Sequence, residues 1–234
     1  MEGISLILPT YHKDRLERAN LLYDRLKNES GVPVEVIVVC ENPDIEPKHD
    51  VLIRPPRRIG FTRAVNLGEK FCTHRLCWWI DDYVEPIKNW GIEAVDGFNK
   101  MFPDGMGIME ISGSINDCPK SISTRKFMYS INGDSFLWPE YIHCGDTESW
   151  YKASLLGKFY VYPKKLWERK KINDDWRKIS LKDHSFDLDL FEERKSNNWP
   201  PYLDKNLSER MSRWVYKSKD KEITNLYKNI YNLW

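Results

Sequence analysis

Hydrophobic and polar positions follow two different periods over the first part of the chain. Residues 4–8 and 34–39 are almost wholly apolar and rich in β-branched side chains, which is typical of strands covered on both faces of a parallel sheet. Between them, residues 14–28 carry apolar side chains at helical spacing, with charged side chains in the intervening positions. This strand–helix–strand order predicts a parallel pair of strands joined by a crossover helix.

The same alternation continues along the next seventy residues. Short apolar runs at 51–53, 76–80 and 106–111 predict three further strands. A helix is predicted to begin near Thr62, and another is predicted over 88–101. Repeated strand and helix signals of this kind predict an α/β fold with a mostly parallel sheet flanked by helices.

The later part of the chain gives weaker periodic signals. Residues 112–140 are predicted to be rich in loops, before a helix that opens at 143–148 and ends at Gly157, and a short strand at 159–162. Beyond Pro163 the sequence is polar and charged, with short helices predicted at 186–196 and 204–231. We therefore expect one α/β catalytic domain over residues 1–165 and a mainly helical C-terminal segment over 166–234.

Polar residues follow three of the predicted strands at the point where each strand ends. Thr10 follows the first strand, Glu41 the second, and Asp81 the strand at 76–80. Ligands of open α/β sheets bind beyond the carboxyl ends of the strands. The three positions are therefore predicted to line one crevice.

Net charge, cysteine content and the length of apolar runs limit the classes of partner and the compartment that are expected. The 36 Lys and Arg residues balance 35 Asp and Glu residues, so a net charge of +1 does not indicate nucleic acid as a partner. Five cysteines without a CxxC pair support neither a disulfide framework nor a zinc ribbon, and they predict reduced, buried thiols. No apolar run approaches the ~20 residues of a membrane span. Because no leader-like segment precedes residue 4, a cytoplasmic location is expected.

Five motifs occur in an order that is similar to a known enzyme family. They are Pro9-Thr10-Tyr11 after a strand, Glu41 after a strand, Arg58-x-Gly60-x-x-x-Ala64-x-Asn66-x-Gly68, Asp81-Asp82-Tyr83-x-x-Pro86 after a strand, and Gly145-Asp146-x-Glu148 before a helix. Over about residues 4–165 the chain resembles the family-2-like glycosyltransferases of GT-A fold. The resemblance implies a GT-A-like domain, a nucleoside-diphosphate sugar donor of UDP type, and Mn²⁺ or Mg²⁺ as cofactor.

The resemblance assigns Asp81 and Asp82 to the acidic motif that holds a metal ion against the donor diphosphate. A hard cation with oxygen ligands neutralises the charge that develops on such a leaving group. The family pattern is Asp-x-Asp, and counting back from Pro86 places Asp81 on the second aspartate and Trp79 on the first. In a rival register Asp81 is the first aspartate. The C-terminal segment over 166–234 is expected to close over the donor site, and His184 is its candidate for a further metal ligand.

Asp146 is the predicted general base, with Glu148 as a second catalytic carboxylate. A sugar hydroxyl is a poor nucleophile at neutral pH, so a carboxylate must take its proton as the new bond forms. The resemblance favours an inverting reaction, although the fold hosts retaining enzymes as well. Asp146 also suits a helix N-cap, which would place its carboxylate at the edge of the crevice.

The remaining motif residues are assigned to the donor. The resemblance gives Glu41 a hydrogen bond to the nucleobase and gives Pro9, Thr10 and Tyr11 contacts to the base and ribose. A further set of polar side chains near a helix N-terminus suits the pyrophosphate, namely Arg58, Arg63 and Asn66.

The acceptor is expected to be a glycan or another molecule that bears a hydroxyl. Trp138 and Trp150 could stack on an acceptor sugar, and His143 could contact it, although tryptophans at such positions also occur in cores. Two alternatives remain open. One is a nucleotidyltransferase, although the first strand lacks the expected glycine-rich loop. The other is a catalytically impaired GT-A-like module that binds sugar or nucleic acid, which the altered acidic motif would explain.

Overall fold

The structure, a computed structural model, describes residues 1–112, 120–133, 135–137, 145–169, 187 and 189–197 of the 234-residue chain. Its strands in chain order are β1 (Ile4–Thr10), β2 (Val34–Cys40), β3 (Val51–Ile53), β4 (Leu76–Trp79), β5 (Val84–Pro86), β6 (Ile108–Glu110), β7 (Ser121–Thr124), β8 (Phe159–Val161) and β9 (Trp167–Arg169). Its α-helices are α1 (Leu16–Glu29), α2 (Phe61–Glu69), α3 (Trp90–Met101), α4 (Arg125–Asn132) and α5 (Gly145–Leu155). A short 3₁₀ helix, Lys13–Arg15, precedes α1.

A seven-stranded sheet in the order β3-β2-β1-β4-β7-β6-β8 forms the centre of the described structure. Strands β3, β2, β1 and β4 are parallel to one another, and β6 is parallel to β8. Strand β7 is antiparallel to both of its neighbours. The prediction of a mostly parallel sheet flanked by helices is confirmed.

Strands β1 and β2 bury alternate side chains in two separate hydrophobic layers. Leu6 and Val36 belong to the layer that contains α1 and α3, whereas Ile7 and Ile37 belong to the layer that contains α2, α4 and α5. Because successive side chains of a strand point to opposite faces, continuous apolar runs are needed where both faces are covered. Burial of each large apolar side chain contributes about 1.5–3 kcal/mol, so the two layers supply the main stabilisation.

Helix α2 approaches the sheet closely because its sequence contains small residues on the buried side. Ala64 is fully buried, and a Cβ atom on Gly68 would lie 2.5 Å from Ile7 Cγ2 and 3.0 Å from Val39 Cγ2. Gly60, which precedes the helix, has a φ of 82°, a value that favours glycine. The glycine and alanine positions of the Arg58–Gly68 motif therefore position α2 against β1 and β2.

The segment 112–140, predicted to be rich in loops, contains β7 and α4. The prediction was wrong because Ser121-Ile122-Ser123-Thr124 is too polar to resemble a buried strand. The hydroxyl groups of β7 donate hydrogen bonds to backbone carbonyl groups. Ser123 Oγ donates to Gly107 O at 2.7 Å, and Thr124 Oγ1 donates to Gly105 O at 2.8 Å. Polar side chains with such partners can be buried without a large penalty.

Residues beyond 165 also take part in the described structure. Strand β9 pairs with β5 as a two-stranded antiparallel sheet that the sequence pattern did not predict. Residues 189–196 are helical, in agreement with the helix predicted at 186–196, whereas the helix predicted at 204–231 lies outside the described residues. The division at residue 165 stays a prediction.

Two further sequence expectations concern thiols and membranes. Cys40, Cys72 and Cys77 are free and buried, and Cys118 and Cys144 lie outside the described residues. In the part of the chain that the structure describes, no helix is long and apolar enough to cross a membrane.

The close approach of α2 leads to a first prediction. Gly68→Ala adds a methyl group into the space occupied by Ile7 and Val39, and overpacking of this kind costs about 1–3 kcal/mol. We expect a lower Tm in thermal unfolding, by several degrees. The matched control is Ser154→Ala on the exposed side of α5, which should change stability by less than about 0.5 kcal/mol. Equal Tm values for both variants would contradict the proposed packing constraint.

Candidate functional site

The carboxyl ends of β1, β2 and β4 lie along one edge of the sheet. Thr10 is opposite Cys40, and the amide of Glu41 donates to the Thr10 carbonyl at 3.0 Å. Ile7 is opposite Trp79, so Asp81 follows its strand at the same edge. The three polar positions after the strands therefore lie at one edge, as the parallel arrangement requires.

A buried lysine that was not predicted from the sequence lies at this edge beside Asp81. Lys120 Nζ is 2.6 Å from Asp81 Oδ2 and 3.7 Å from the centroid of the Trp79 ring. The side chain of Lys120 is 1% exposed and that of Asp81 is 15% exposed. An ammonium over the face of an indole is attracted by about 2 kcal/mol when it is shielded from water. Asp81 and Trp79 together compensate the burial of this charge.

Asp146 lies in the first turn of α5 and belongs to the same electrostatic cluster. Its carboxyl group is buried, and burial raises its pKa to about 7. The positive charge of Lys120 and the backbone N–H groups of Asp146 and Thr147 act in the opposite direction, whereas the negative charge of Asp81 adds to the increase. A carboxyl group with a pKa near neutrality is suited to accept a proton at neutral pH.

Asp82 is held separately from this cluster by arginines of the region before and within α1. Arg15 Nη1 is 3.4 Å from Asp82 Oδ1. Burial raises the pKa of Asp82 to about 6, and the charges of Arg15 and Arg18 limit that increase. The two neighbouring aspartates thus have different cationic partners.

The predicted metal ligands can be tested against these contacts. Asp81 faces Lys120 and Asp82 faces Arg15, while His184 lies outside the described residues. Throughout the described ranges, no group of three or more His, Cys, Asp or Glu side chains is arranged to hold a metal ion. Mn²⁺ and Mg²⁺ need several oxygen ligands. Among the described residues the two aspartates are therefore each paired with a basic side chain, and their role as metal ligands stays a prediction.

Glu41 anchors the segment that leads into α2. Its Oε1 atom accepts hydrogen bonds from the backbone N–H groups of Ile59 at 2.5 Å and Gly60 at 2.9 Å. Arg58 Nε lies 4.0 Å from Glu41 Oε2, and the Arg58 guanidinium carbon lies 4.3 Å from the centroid of the Tyr11 ring. Burial raises the pKa of Glu41, and the two backbone donors and Arg58 oppose the increase. Tyr11, Glu41 and Arg58 thus form one contact cluster at the sheet edge.

Two other residues predicted to bind the donor lie on α2. The Asn66 side chain accepts from Leu137 N at 2.7 Å and donates to Leu137 O at 2.8 Å, so its amide connects α2 to residues 135–137. Arg63 is partly buried in the first turn of the helix. Pro9 is opposite Val39 within the sheet.

Glu148 is fully buried between two basic side chains. Arg194 donates to both carboxylate oxygens, from Nε at 2.7 Å and from Nη2 at 2.9 Å, and Lys152 Nζ lies 2.5 Å from Oε1. Burial alone would raise the pKa of Glu148, but Arg194 and Lys152 hold it below its ordinary value. Arg194, which follows Glu148 by 46 positions, has no sequence signal that connects it to α5.

The three residues predicted to bind the acceptor are only partly described. Trp150 is half-buried on α5, where its ring is stacked on Trp78 with centroids 6.5 Å apart and its Nε1 donates to Ser121 Oγ at 3.1 Å. Trp138 and His143 lie outside the described residues. The acceptor site stays a prediction.

Sequence comparisons and structure comparisons give different results for this chain. No protein-family model matches the sequence, and no curated protein sequence matches it significantly. Among solved structures, the S. aureus protein TarS matches with a TM-score of 0.58 and 13% identity, over 95% of this chain and 44% of TarS. TarS residues 1–349 in complex with UDP-GlcNAc match with a TM-score of 0.52 and 12% identity, over 99% of this chain and 72% of that one.

A second protein with this fold comes from Pyrobaculum calidifontis. The mannosyltransferase PcManGT, in complex with GDP-Man and Mn²⁺, matches with a TM-score of 0.51 and 14% identity. The match covers 70% of this chain and 55% of PcManGT, so the chain corresponds to about half the length of PcManGT and of full TarS. These similarities show that the fold is the one adopted by nucleotide-sugar glycosyltransferases.

The buried contacts of Glu148 generate a second prediction. Glu148→Gln removes the carboxylate charge that Arg194 and Lys152 both contact, and removal of one partner from a buried pair costs about 3–5 kcal/mol. We expect a large decrease in the free energy of unfolding. In a double-mutant cycle with Arg194→Met, the double mutant should lose less stability than the sum of the losses of the two single mutants, by about 1 kcal/mol or more. Additive losses would contradict a direct pair.

The control for this cycle is an exposed ion pair. Asp24 lies 2.6 Å from Lys48, with half of the lysine side chain and two fifths of the aspartate side chain exposed. Asp24→Asn should change the free energy of unfolding by less than about 1 kcal/mol.

The burial of Asp146 generates a third prediction, which concerns stability against pH. The folded protein binds the Asp146 proton more tightly than the unfolded chain, so stability is lost as the pH rises from about 4 to about 7. Asp146→Asn cannot ionise. The difference between the Tm of Asp146→Asn and the Tm of the wild type should therefore increase by several degrees between about pH 4 and about pH 7, and then stay constant. The exposed Asp96→Asn on α3 should show no such growth, and a pH-independent difference for Asp146→Asn would contradict the buried position.

Proposed function

We propose that this protein transfers a glycosyl group from a nucleoside-diphosphate sugar, of UDP type, to an acceptor hydroxyl group. The observation that carries the proposal is Asp146, a buried carboxyl group with a pKa near 7 at the ligand-binding edge of a glycosyltransferase-like sheet. The solved proteins of this fold include complexes with UDP, UDP-GlcNAc and GDP-Man. These complexes support a nucleotide-sugar donor for the present chain.

The donor is proposed to lie across the carboxyl ends of β1, β2 and β4. Tyr11 and Arg58 offer an aromatic ring and a guanidinium in contact, which suits a nucleobase and its neighbouring charges. Pro9 and Thr10 end β1 beside them, and Arg63 lies in the first turn of α2, where a positive side chain and the helix N-terminus both favour a pyrophosphate. Because Glu41 already accepts two backbone hydrogen bonds, we propose that it shapes the base pocket through the Ile59–Gly60 segment.

The proposed reaction is a single displacement at the anomeric carbon. The acceptor oxygen forms a bond to that carbon while the bond from the carbon to the donor phosphate oxygen breaks. The acceptor proton passes to the carboxylate of Asp146, and the nucleoside diphosphate leaves with the bonding electron pair. A single displacement of this kind inverts the configuration of the sugar.

Glu148 is proposed to act as a positioning residue for this base. It lies two residues from Asp146 on α5 and is held by Arg194 and Lys152. Fixing the first turn of α5 fixes the Asp146 carboxylate relative to the sheet edge, and small displacements of a catalytic group reduce rates strongly. Trp150, on the same helix, is proposed to support this packing through Trp78 and to border the acceptor.

A non-catalytic sugar-binding module is the second candidate, and Trp79 is the observation that favours it. Trp79 stands where the resemblance places an acidic residue, and its ring contacts Lys120 instead. Such a module would bind nucleotide sugars without releasing a nucleoside diphosphate. The two candidates therefore differ in turnover and agree in binding.

The fourth prediction tests the proposed base. The wild type should bind UDP or GDP in a thermal-shift screen with the corresponding nucleotide sugars, because a ligand of the folded state raises Tm. Release of nucleoside diphosphate should increase with pH through about 7 as Asp146 loses its proton. Asp146→Asn should lower kcat by about 100-fold or more and leave nucleotide affinity within about threefold.

The control variant and the possible outcomes distinguish the two candidate functions. The exposed Asp96→Asn is the matched control and should retain wild-type turnover. Absence of any nucleotide-dependent Tm shift would contradict the proposed function. Binding without turnover in the wild type would favour the non-catalytic module, and full turnover by Asp146→Asn would show that another group is the base.

A further inference from the structure

We propose that the ammonium of Lys120 takes the place of a divalent cation at the donor diphosphate, so that nucleotide binding by this chain does not require a metal ion. The inference rests on the proposed function and concerns the same edge of the sheet. Its basis is the position of Lys120, the identity of the side chains in contact with it, and its burial.

The position of Lys120 follows from the direction of β7. Cys77 of β4 is opposite Ser123, and the two strands are antiparallel, so continuing the register brings residue 120 beside residue 80. Lys120 therefore precedes β7 at the edge where Asp81 follows β4. In a sheet whose other central strands are parallel, the start of one antiparallel strand is the backbone position that delivers a side chain to the ligand-binding edge.

The described side chains in contact with Lys120 include one carboxylate and one aromatic ring, a combination that suits a lysine. Asp81 Oδ2 is 2.6 Å from Nζ, which is a charge-assisted hydrogen bond. The ring of Trp79 lies 3.7 Å from Nζ, and Tyr83 lies further out at 5.8 Å. An aromatic face attracts an ammonium but offers no oxygen ligand to Mn²⁺ or Mg²⁺. Trp79, which stands where the resemblance places an acidic residue, therefore contacts the ammonium of Lys120.

The charge of Lys120 acts from a buried position. Its side chain is 1% exposed, and the charges of both Asp81 and Asp146 act within the same cluster. A fixed charge that is already shielded from water interacts strongly with a nearby anion and needs no reorganisation of solvent. Arg58 lies in the segment before α2, and Arg63 lies in the first turn of α2. At the same edge of the sheet, both add positive charge for a diphosphate.

The fifth prediction compares nucleotide binding with and without metal in the wild-type chain. UDP and GDP are titrated calorimetrically in EDTA and in millimolar Mn²⁺. The nucleotide that binds should show Kd values within about threefold of each other in the two buffers. A greater loss of affinity in EDTA that Mn²⁺ restores would overturn the inference. Because this comparison uses the unaltered protein, it does not depend on whether a variant folds.

The lysine itself is tested by a charge-removing substitution. Lys120→Gln should weaken binding of the same nucleotide in EDTA by about tenfold or more, provided that its circular dichroism matches the wild type. Lys126→Gln is the matched control, because Lys126 is exposed on α4, which follows β7 at the opposite edge of the sheet. Unchanged affinity in folded Lys120→Gln would overturn the inference.

The outcomes separate this inference from the proposed function. Binding that requires Mn²⁺ overturns the role of Lys120 and leaves glycosyl transfer standing. Absence of UDP and GDP binding in both buffers overturns the proposed function and the lysine inference with it.

Discussion

Burial of the sheet on both faces is the constraint on which the rest of this structure depends. Strands β1, β2 and β4 are covered by helices on each side, so their side chains are almost entirely apolar. A charged group within such a sheet would lose its water without a partner, at a cost of several kcal/mol. Polar chemistry is therefore confined to the strand ends, where Glu41, Asp81 and Asp146 lie at the margin of the core and bond to backbone amides or basic side chains.

The charged residues at this margin also depend on one another. Asp81 compensates Lys120, and both charges influence the protonation of Asp146. On the same helix, Glu148 compensates Lys152 and Arg194. Each cation and carboxylate thus has a local counter-charge, which matters more in a buried cluster than on a surface where water screens the pair. The ionisation of any one group at this site is consequently a property of the cluster.

The sequence predicts much of the fold and part of the site, for reasons that differ between elements. Continuous apolar runs identify β1 and β2, and the edge at Asp81 follows from the rule that parallel strands end together. Strand β7 is missed because its serines satisfy their hydroxyl groups through backbone carbonyls, which no periodicity records. With β7 missed, Lys120 has no predicted position. The partnership of Glu148 with Arg194 is likewise invisible, because the 46 intervening residues carry no pattern that brings them together.

Strand β9 has a consequence for the order in which the chain can fold during synthesis. Trp167, at the start of β9, is buried against Trp90 with ring centroids 4.7 Å apart, although Trp90 is made much earlier. Strands β1, β2 and β4 can pair as soon as the first eighty residues have emerged, whereas the indole of Trp90 acquires this neighbour only after residue 167. Domains generally fold as units during synthesis. The apolar face at Trp90 is therefore completed only once β9 has been made, long after the residues of the central strands.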